Sequence, residues 1–212
     1  MLFLAVLFAF VSNVVARPHN VSSDSMAPTL DAGERIIITK FAYQSRRMAV
    51  PRAGDMVVFT PLPGWNTGYT SIRSQNTALR WLQNAVSFFG FAPPDEKYLV
   101  SRVLAVGGET IECRRSTGIT VNREPIAEPY LGPKMLDAEP PTDPCFGPEF
   151  GPVRVPTERL WVMGDNRTHA TDSRAHCESL PADLERGIAC TGDPMSGTVP
   201  MEDVIGKAQQ FW

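Results

Sequence analysis

Ser23 and Ser25 stand two residues apart in "SSDSMAPTL" (residues 22–30), just after an apolar N-terminal run. A serine hydroxyl is a weak nucleophile and attacks a carbonyl only when a base within hydrogen-bond reach takes its proton. The oxyanion formed then needs donors aimed at it, and a neighbouring hydroxyl or backbone N–H can supply them. Ser, Asp, Thr and Pro also gather in turns for conformational reasons. Taken alone, the stretch therefore reads equally as a polar linker, and the rest of the chain has to choose. A second group stands in "GDNRTHATDSR" (164–174), where Asp165, Asp172 and Arg174 lie close in sequence. With Arg102, they read as an ion-paired scaffold, because a partly buried arginine needs a bidentate carboxylate.

The elements that must position these groups read as strands. "ERIIITKFAY" (34–43) is a β-branched run entered by a turn at Gly33. "RAGDMVVFTPLP" (52–63) reads as turn, strand and proline stop. "KYLVSRVLAV" (97–106), "ETIECR", "RLWVMGDNR" (159–167) and "TVPMEDVIGKAQQFW" add further strands. Residues 71–89 differ: Ile72, Leu79, Leu82, Val86 and Phe89 recur at helical spacing, which predicts one inserted helix whose stripe packs on its own sheet rather than on lipid. Residues 116–156, rich in proline with short strand-like pieces, read as a small cap. The expected fold is mostly β: an antiparallel core from 17–115 and 157–212, the cap at 116–156, and the helix at about 71–89.

"MLFLAVLFAFVSNVVA" (1–16) is apolar except at Ser12 and Asn13, lacks a basic start, and is shorter than the roughly 20 residues that span a bilayer. We read it as part of a transmembrane helix. Four cysteines with no CxxC pair argue for disulfides in an oxidising compartment rather than for zinc. Three pairings are open, and short-loop closure favours Cys113–Cys145 with Cys177–Cys190. A net charge of −3 gives no electrostatic case for nucleic acid.

In order along the chain, SxSMxPTL (23–30), "GERIIITKFAY", "RAGDMVVF", "SRVLAVGGETI" and "GDNRTHATDSR" resemble the successive boxes of the type I signal peptidases, the membrane-bound Ser-Lys endopeptidases. The insertion around residues 65–91 and the ending "GTVPMEDVIGKA" look most like the actinobacterial branch. The resemblance implies Ser25 as nucleophile, with its N–H and the Ser23 hydroxyl as oxyanion donors. It implies Val21, Met26, Leu30, Leu99 and Val100 as the lining of pockets for small residues before the cut. It also implies a monomer on the extracytoplasmic side of a cell membrane, acting on signal peptides of exported proteins, with no metal or organic cofactor.

At the base position the pattern is broken. The resemblance places a lysine immediately before Arg102, and Ser101 stands there. Ala170 stands where the family has a serine that hydrogen-bonds the lysine. Lys97 lies about 13 Å along the strand from Ser101 at ~3.3 Å per residue, and Lys40 matches a family lysine with no catalytic role. His169, beside Ala170, is the alternative base against a plain loop histidine. Three further readings stay open: a protein of this fold that binds signal peptides without cutting, a chain from which the lysine was removed, and a relative of the self-cleaving Ser-Lys repressors. The last family carries a DNA-binding helical domain where this chain has its apolar run.

Overall fold

A computed structural model describes residues 16–39, 43, 50–65, 74–88, 98–132 and 143–210. The strands are β1 (Ala16–Asn20), β2 (Arg35–Thr39), β3 (Met56–Phe59), β4 (Leu99–Val106), β5 (Thr110–Arg114), β6 (Gly118–Val121), β7 (Glu124–Pro125), β8 (Glu149–Arg154), β9 (Arg159–Met163), β10 (Ile188–Ala189), β11 (Val199–Pro200) and β12 (Val204–Gln210). The α-helices are α1 (Thr77–Phe88), α2 (Ser173–His176) and α3 (Pro181–Leu184). The membrane segment expected at 1–16 lies outside the described residues except for Ala16, which opens β1. No described helix is long and apolar enough to cross a membrane.

Seven strands form one sheet in the order β1-β2-β12-β3-β4-β9-β11, and five form a second in the order β10-β8-β5-β6-β7. Every pairing is antiparallel except the short one between β10 and β8. The second sheet draws in β5 and β10 beside the strands of 116–156. β4 lies inside the larger sheet, with Ser101 opposite Val57 of β3 and Arg102 opposite Met56. The fold is thus mostly β, as the β-branched runs predict. β1 contains Pro18, which a sheet accepts at its edge because proline cannot donate to a ladder.

Three apolar clusters hold the sheets. Leu104, Ile111, Phe150, Val153 and Trp161 pack where the two sheets meet, and the Phe150 and Trp161 rings stack at 5.5 Å. Val21, Met26, Leu30, Ile36, Ile38 and Val58 form a second cluster. Val57, Phe59, Trp65, Val103 and Val162 form the third. Both disulfides are present, Cys113–Cys145 and Cys177–Cys190, in the pairing that short loops favour.

The inserted helix is real, but its apolar stripe does not pack on the sheet. Leu79 is 48 % exposed, Trp81 73 %, Leu82 53 % and Val86 37 %. Helical spacing identifies an apolar face without saying what meets it. Of the residues expected within the helix, Ser74–Asn76 precede it, while 71–73 and Phe89 lie outside the described residues; Asn76 caps its start by accepting from the N–H groups of Ala78 and Leu79.

Candidate active site

Ser25 sits in a single 3-10 turn, Asp24–Met26, entered through Ser23 in extended conformation. The Ser23 and Ser25 hydroxyl oxygens are 3.0 Å apart, so one hydroxyl donates to the other. Met26, fully buried, plugs the turn into the second apolar cluster, and the Leu30 N–H donates to its carbonyl at 3.0 Å. The Asp24 carboxylate accepts from the Ala32 N–H at 3.1 Å. A buried side chain on one side and hydrogen bonds on both fix where the two hydroxyls point.

The loop after β9 clamps the same turn. The Asn166 main-chain N–H donates to the Ser25 carbonyl, and its side-chain Nδ2 donates to the Asp24 carbonyl, each at 3.0 Å. Gly164 makes this approach possible. A β-carbon there would lie 2.3 Å from that of Ala170 and 2.4 Å from the Ser25 carbonyl oxygen. Ala170 thus stands against the backbone of the Ser25 turn.

β4 also touches this turn. Strand alternation splits its residues between two faces. Val100 joins the cluster of Val21, Met26 and Leu30, whereas Leu99 packs with Val57, Phe59 and Trp65. Ser101 is buried on the Leu99 side, and Arg102 is buried on the Val100 side. Of the residues expected to line a pocket, four come together and Leu99 does not join them.

Arg102 donates from Nε and Nη2 to the Asp165 carboxylate at 2.7 and 2.5 Å, and from Nη1 to the Gly54 carbonyl at 2.8 Å. Thr29, four residues after Ser25, donates to the same carboxylate at 2.5 Å. The Tyr130 ring lies 3.9 Å beneath the Arg102 guanidinium. Its hydroxyl donates to Glu128, and burial, with Glu128 beside it, raises its pKa. Arg167, whose side chain is wholly buried, pairs with Glu128 and donates to the Gly164 carbonyl at 3.0 Å. Burial opposes its charge, but the Glu128 hydrogen bond and charge more than offset this and raise its pKa. Asp172 pairs with Arg174 and accepts from the Gly164 N–H at 3.1 Å. Asn166, Thr29, Glu128, Tyr130 and Arg167 were not singled out by sequence. Asn166 and Arg167 had a signal, lying inside "GDNR"; Glu128 and Tyr130 come from the second sheet's loops and had none.

Two candidate bases can be placed. His169 is exposed, and its Nδ1 lies 2.9 Å from the Thr168 hydroxyl and 3.2 Å from the Asn166 amide oxygen. Its ring is therefore engaged within its own loop. Lys40 and Lys97 lie outside the described residues. Lys207, the one lysine among the described residues, pairs with Asp55. Burial works to raise the Asp55 pKa, but hydrogen bonds from Lys207, Tyr43 and the Arg52 N–H prevail and lower it.

The profile of the family described as "Signal peptidase, peptidase S26" matches residues 1–212. The chain is 53% identical to signal peptidase I of Mycobacterium tuberculosis over 209 residues, 96% of this chain and 67% of that protein. It is 30% identical to signal peptidase I T of Bacillus subtilis over 172 residues, 81% of this chain and 70% of that one. A signal peptidase I structure from Enterococcus faecalis aligns with TM-score 0.43 and 17% identity over 74% of this chain and 96% of that chain, too loosely to bear on the site.

Proposed function

The chain belongs to the signal peptidase, peptidase S26 family, and on that premise we propose that it binds the signal peptides of exported proteins and cleaves them as a serine endopeptidase. The observation that carries the reading is the pair of hydroxyls, Ser23 and Ser25, 3.0 Å apart on a turn clamped by Asn166. Ser25 Oγ attacks the peptide carbonyl. The Ser25 N–H and the Ser23 hydroxyl stabilise the oxyanion. With no built-in base, the Ser25 proton passes to solvent water, which returns a proton to the leaving amine as the C–N bond breaks, and water then hydrolyses the acyl-enzyme. Met26, Leu30 and Val21 form the floor of an apolar pocket and Val100 its wall, a lining suited to small residues such as those of an Ala-x-Ala sequence. The apolar run 1–16 tethers a monomeric catalytic unit to the extracytoplasmic side of the membrane.

Ser101 occupies the position of the general base. Its hydroxyl cannot hold the Ser25 proton at neutral pH, because it would need a base of its own. Loss of a positioned base costs ~10²–10⁴-fold, and up to ~10⁶ where base and nucleophile act as one unit. The chain therefore cleaves slowly while its peptide pocket stays intact. A second reading, binding without cutting, is favoured by the engagement of Lys207 with Asp55 and of His169 with its own loop.

The test is single-turnover cleavage of one Ala-x-Ala peptide by the unmodified chain, Ser101→Lys, Ala170→Ser and the double variant. Ser101→Lys raises the rate, and adding Ala170→Ser raises it further by holding the new amine. A fast unmodified chain silenced by His169→Ala would make His169 the base. A rate that survives both His169→Ala and Ser25→Ala would remove Ser25 from the mechanism.

A further inference from the structure

α1 presents its apolar side to the outside. At 100° per residue, Trp81, Ala85, Ala78, Leu82, Val86 and Leu79 follow one another around a single arc, while Arg80, Gln83 and Asn84 fall on the other. On the polar arc Arg80 and Asn84 are exposed, and the Gln83 side chain accepts from the Ser74 N–H just ahead of the helix at 2.9 Å. The apolar arc carries four large side chains, each more than one-third exposed. A contiguous exposed apolar patch marks an interaction surface, whereas scattered exposed residues do not.

We propose that α1 docks its Trp81–Leu82–Val86–Leu79 face into the surface of an anionic lipid bilayer, lying in the plane of the interface. Length excludes crossing, since twelve residues rise about 18 Å against a hydrocarbon core of about 30 Å. Charge selects the partner. Between Asp55 and Asp95 the sequence holds no carboxylate and two arginines, Arg73 and Arg80, in a chain with 23 acidic residues and a net charge of −3. That stretch meets anionic headgroups without repulsion, as does the carboxylate-free stretch between Glu34 and Asp55 that precedes it. Area disfavours a second copy, since four side chains on one short helix fall well below the ~800 Å² per partner of a standard protein interface. An apolar helix face with a tryptophan and few charges suits the headgroup–acyl boundary, where such a face sinks roughly 5–10 Å.

The proposal does not depend on whether Ser25 cleaves anything. All four cysteines are paired, so Leu82→Cys introduces one labelling site on the full chain, and Asn84→Cys supplies the matching site on the polar arc. Each variant, carrying an environment-sensitive dye, is mixed with phosphatidylcholine vesicles with or without a minority of phosphatidylglycerol, and with quenchers placed on the lipid chains. Co-flotation reports the tether at 1–16 and quenching reports α1, so the two readings fail separately. Quenching several-fold greater at residue 82 than at residue 84, and greater with phosphatidylglycerol, is expected. Leu79→Glu, which should leave an exposed helix folded, should remove most of it. Equal quenching at the two sites, or none, would overturn the proposal. So would shielding of residue 82 that needs no lipid: rising with protein concentration it would identify a second copy, and independent of concentration it would identify a cover from the same chain.

Discussion

Asn166 Nδ2 donates to the Asp24 carbonyl at 3.0 Å, one residue before Ser25, while the same residue's main-chain N–H holds the Ser25 carbonyl. The turn that carries Ser25 is thereby fixed from a loop more than a hundred positions later. Asn166→Ala removes the side-chain bond and leaves the main-chain one. In a Ser101→Lys background it should lower kcat/KM by ~10-fold, the worth of about 1.4 kcal/mol in a single hydrogen bond, with only a small change in urea midpoint. Asn166→Asp should be no better, because a carboxylate cannot donate to the Asp24 carbonyl. A large midpoint shift with kcat/KM unchanged would show that Asn166 holds the fold and not the nucleophile.

Arg167 relies on Glu128 to balance its buried charge. Glu128→Gln keeps the shape and loses the counter-charge, leaving a wholly buried guanidinium. Removing one partner of a buried pair costs about 3–5 kcal/mol. Urea unfolding should show a loss of that order. A loss below about 1 kcal/mol would mean that the Gly164 carbonyl and its neighbours satisfy Arg167 without help.

His176 gives the fold a pH dependence. Its ring stacks on Trp65 at 4.3 Å, and burial lowers its pKa, opposed by Asp172. The unfolded chain therefore binds the proton more readily. Stability from this residue is fully present above the unfolded value of about 6.5 and falls as pH drops from there towards the folded value. His176→Phe keeps the stacking and removes the titration, so it should flatten the stability profile in the mildly acidic range. A slope as steep as that of the unmodified chain would assign the effect to other groups.

Gly164 tests how tightly the turn and loop approach. Gly164→Ala places a methyl where Ser25 O and Ala170 already stand, so the clamp has to open. Overpacking of this kind costs typically 1–3 kcal/mol. In a Ser101→Lys background, covalent labelling of Ser25 by a serine-directed β-lactam or phosphonate probe should slow more than this stability loss explains. Labelling at an unchanged rate would show that the Ser25 turn tolerates the shift.

The strands were legible because β-branched and aromatic runs such as Ile36–Ile38 and Val57–Phe59 have few other ways to bury themselves. β1 was not, since "ARPHN" becomes a strand only by lying at the edge beside β2. In α1, spacing revealed the face but not its partner, because a lipid-facing and a sheet-facing stripe share one period. At the site, short-range chemistry was readable: Asp172 lies two residues from Arg174, which it pairs. The placement of Tyr130 beneath Arg102 and of Glu128 beside Arg167 depends on how the second sheet folds back. No local pattern encodes a contact of that range.

β4 and β9 pair directly, so in chain topology they are the two arms of one hairpin whose loop runs from Gly107 to Glu158. The loop narrows to a neck where Gly108 and Glu109 exchange hydrogen bonds with Val155 at 2.9 and 2.8 Å. Cys113–Cys145 closes wholly beyond that neck and Cys177–Cys190 wholly outside it. In descent, such a loop can grow or shrink at its far end without moving a single ladder register below the neck. Some stretches are tied back: Glu128–Gly132 returns to Arg102, Arg167 and Pro28, and β8 returns to β10 and Trp161. Across relatives, length differences should accordingly gather beyond the neck and spare those stretches, so that the appendage drifts in size while the parts of it that touch the core and the site are inherited with them.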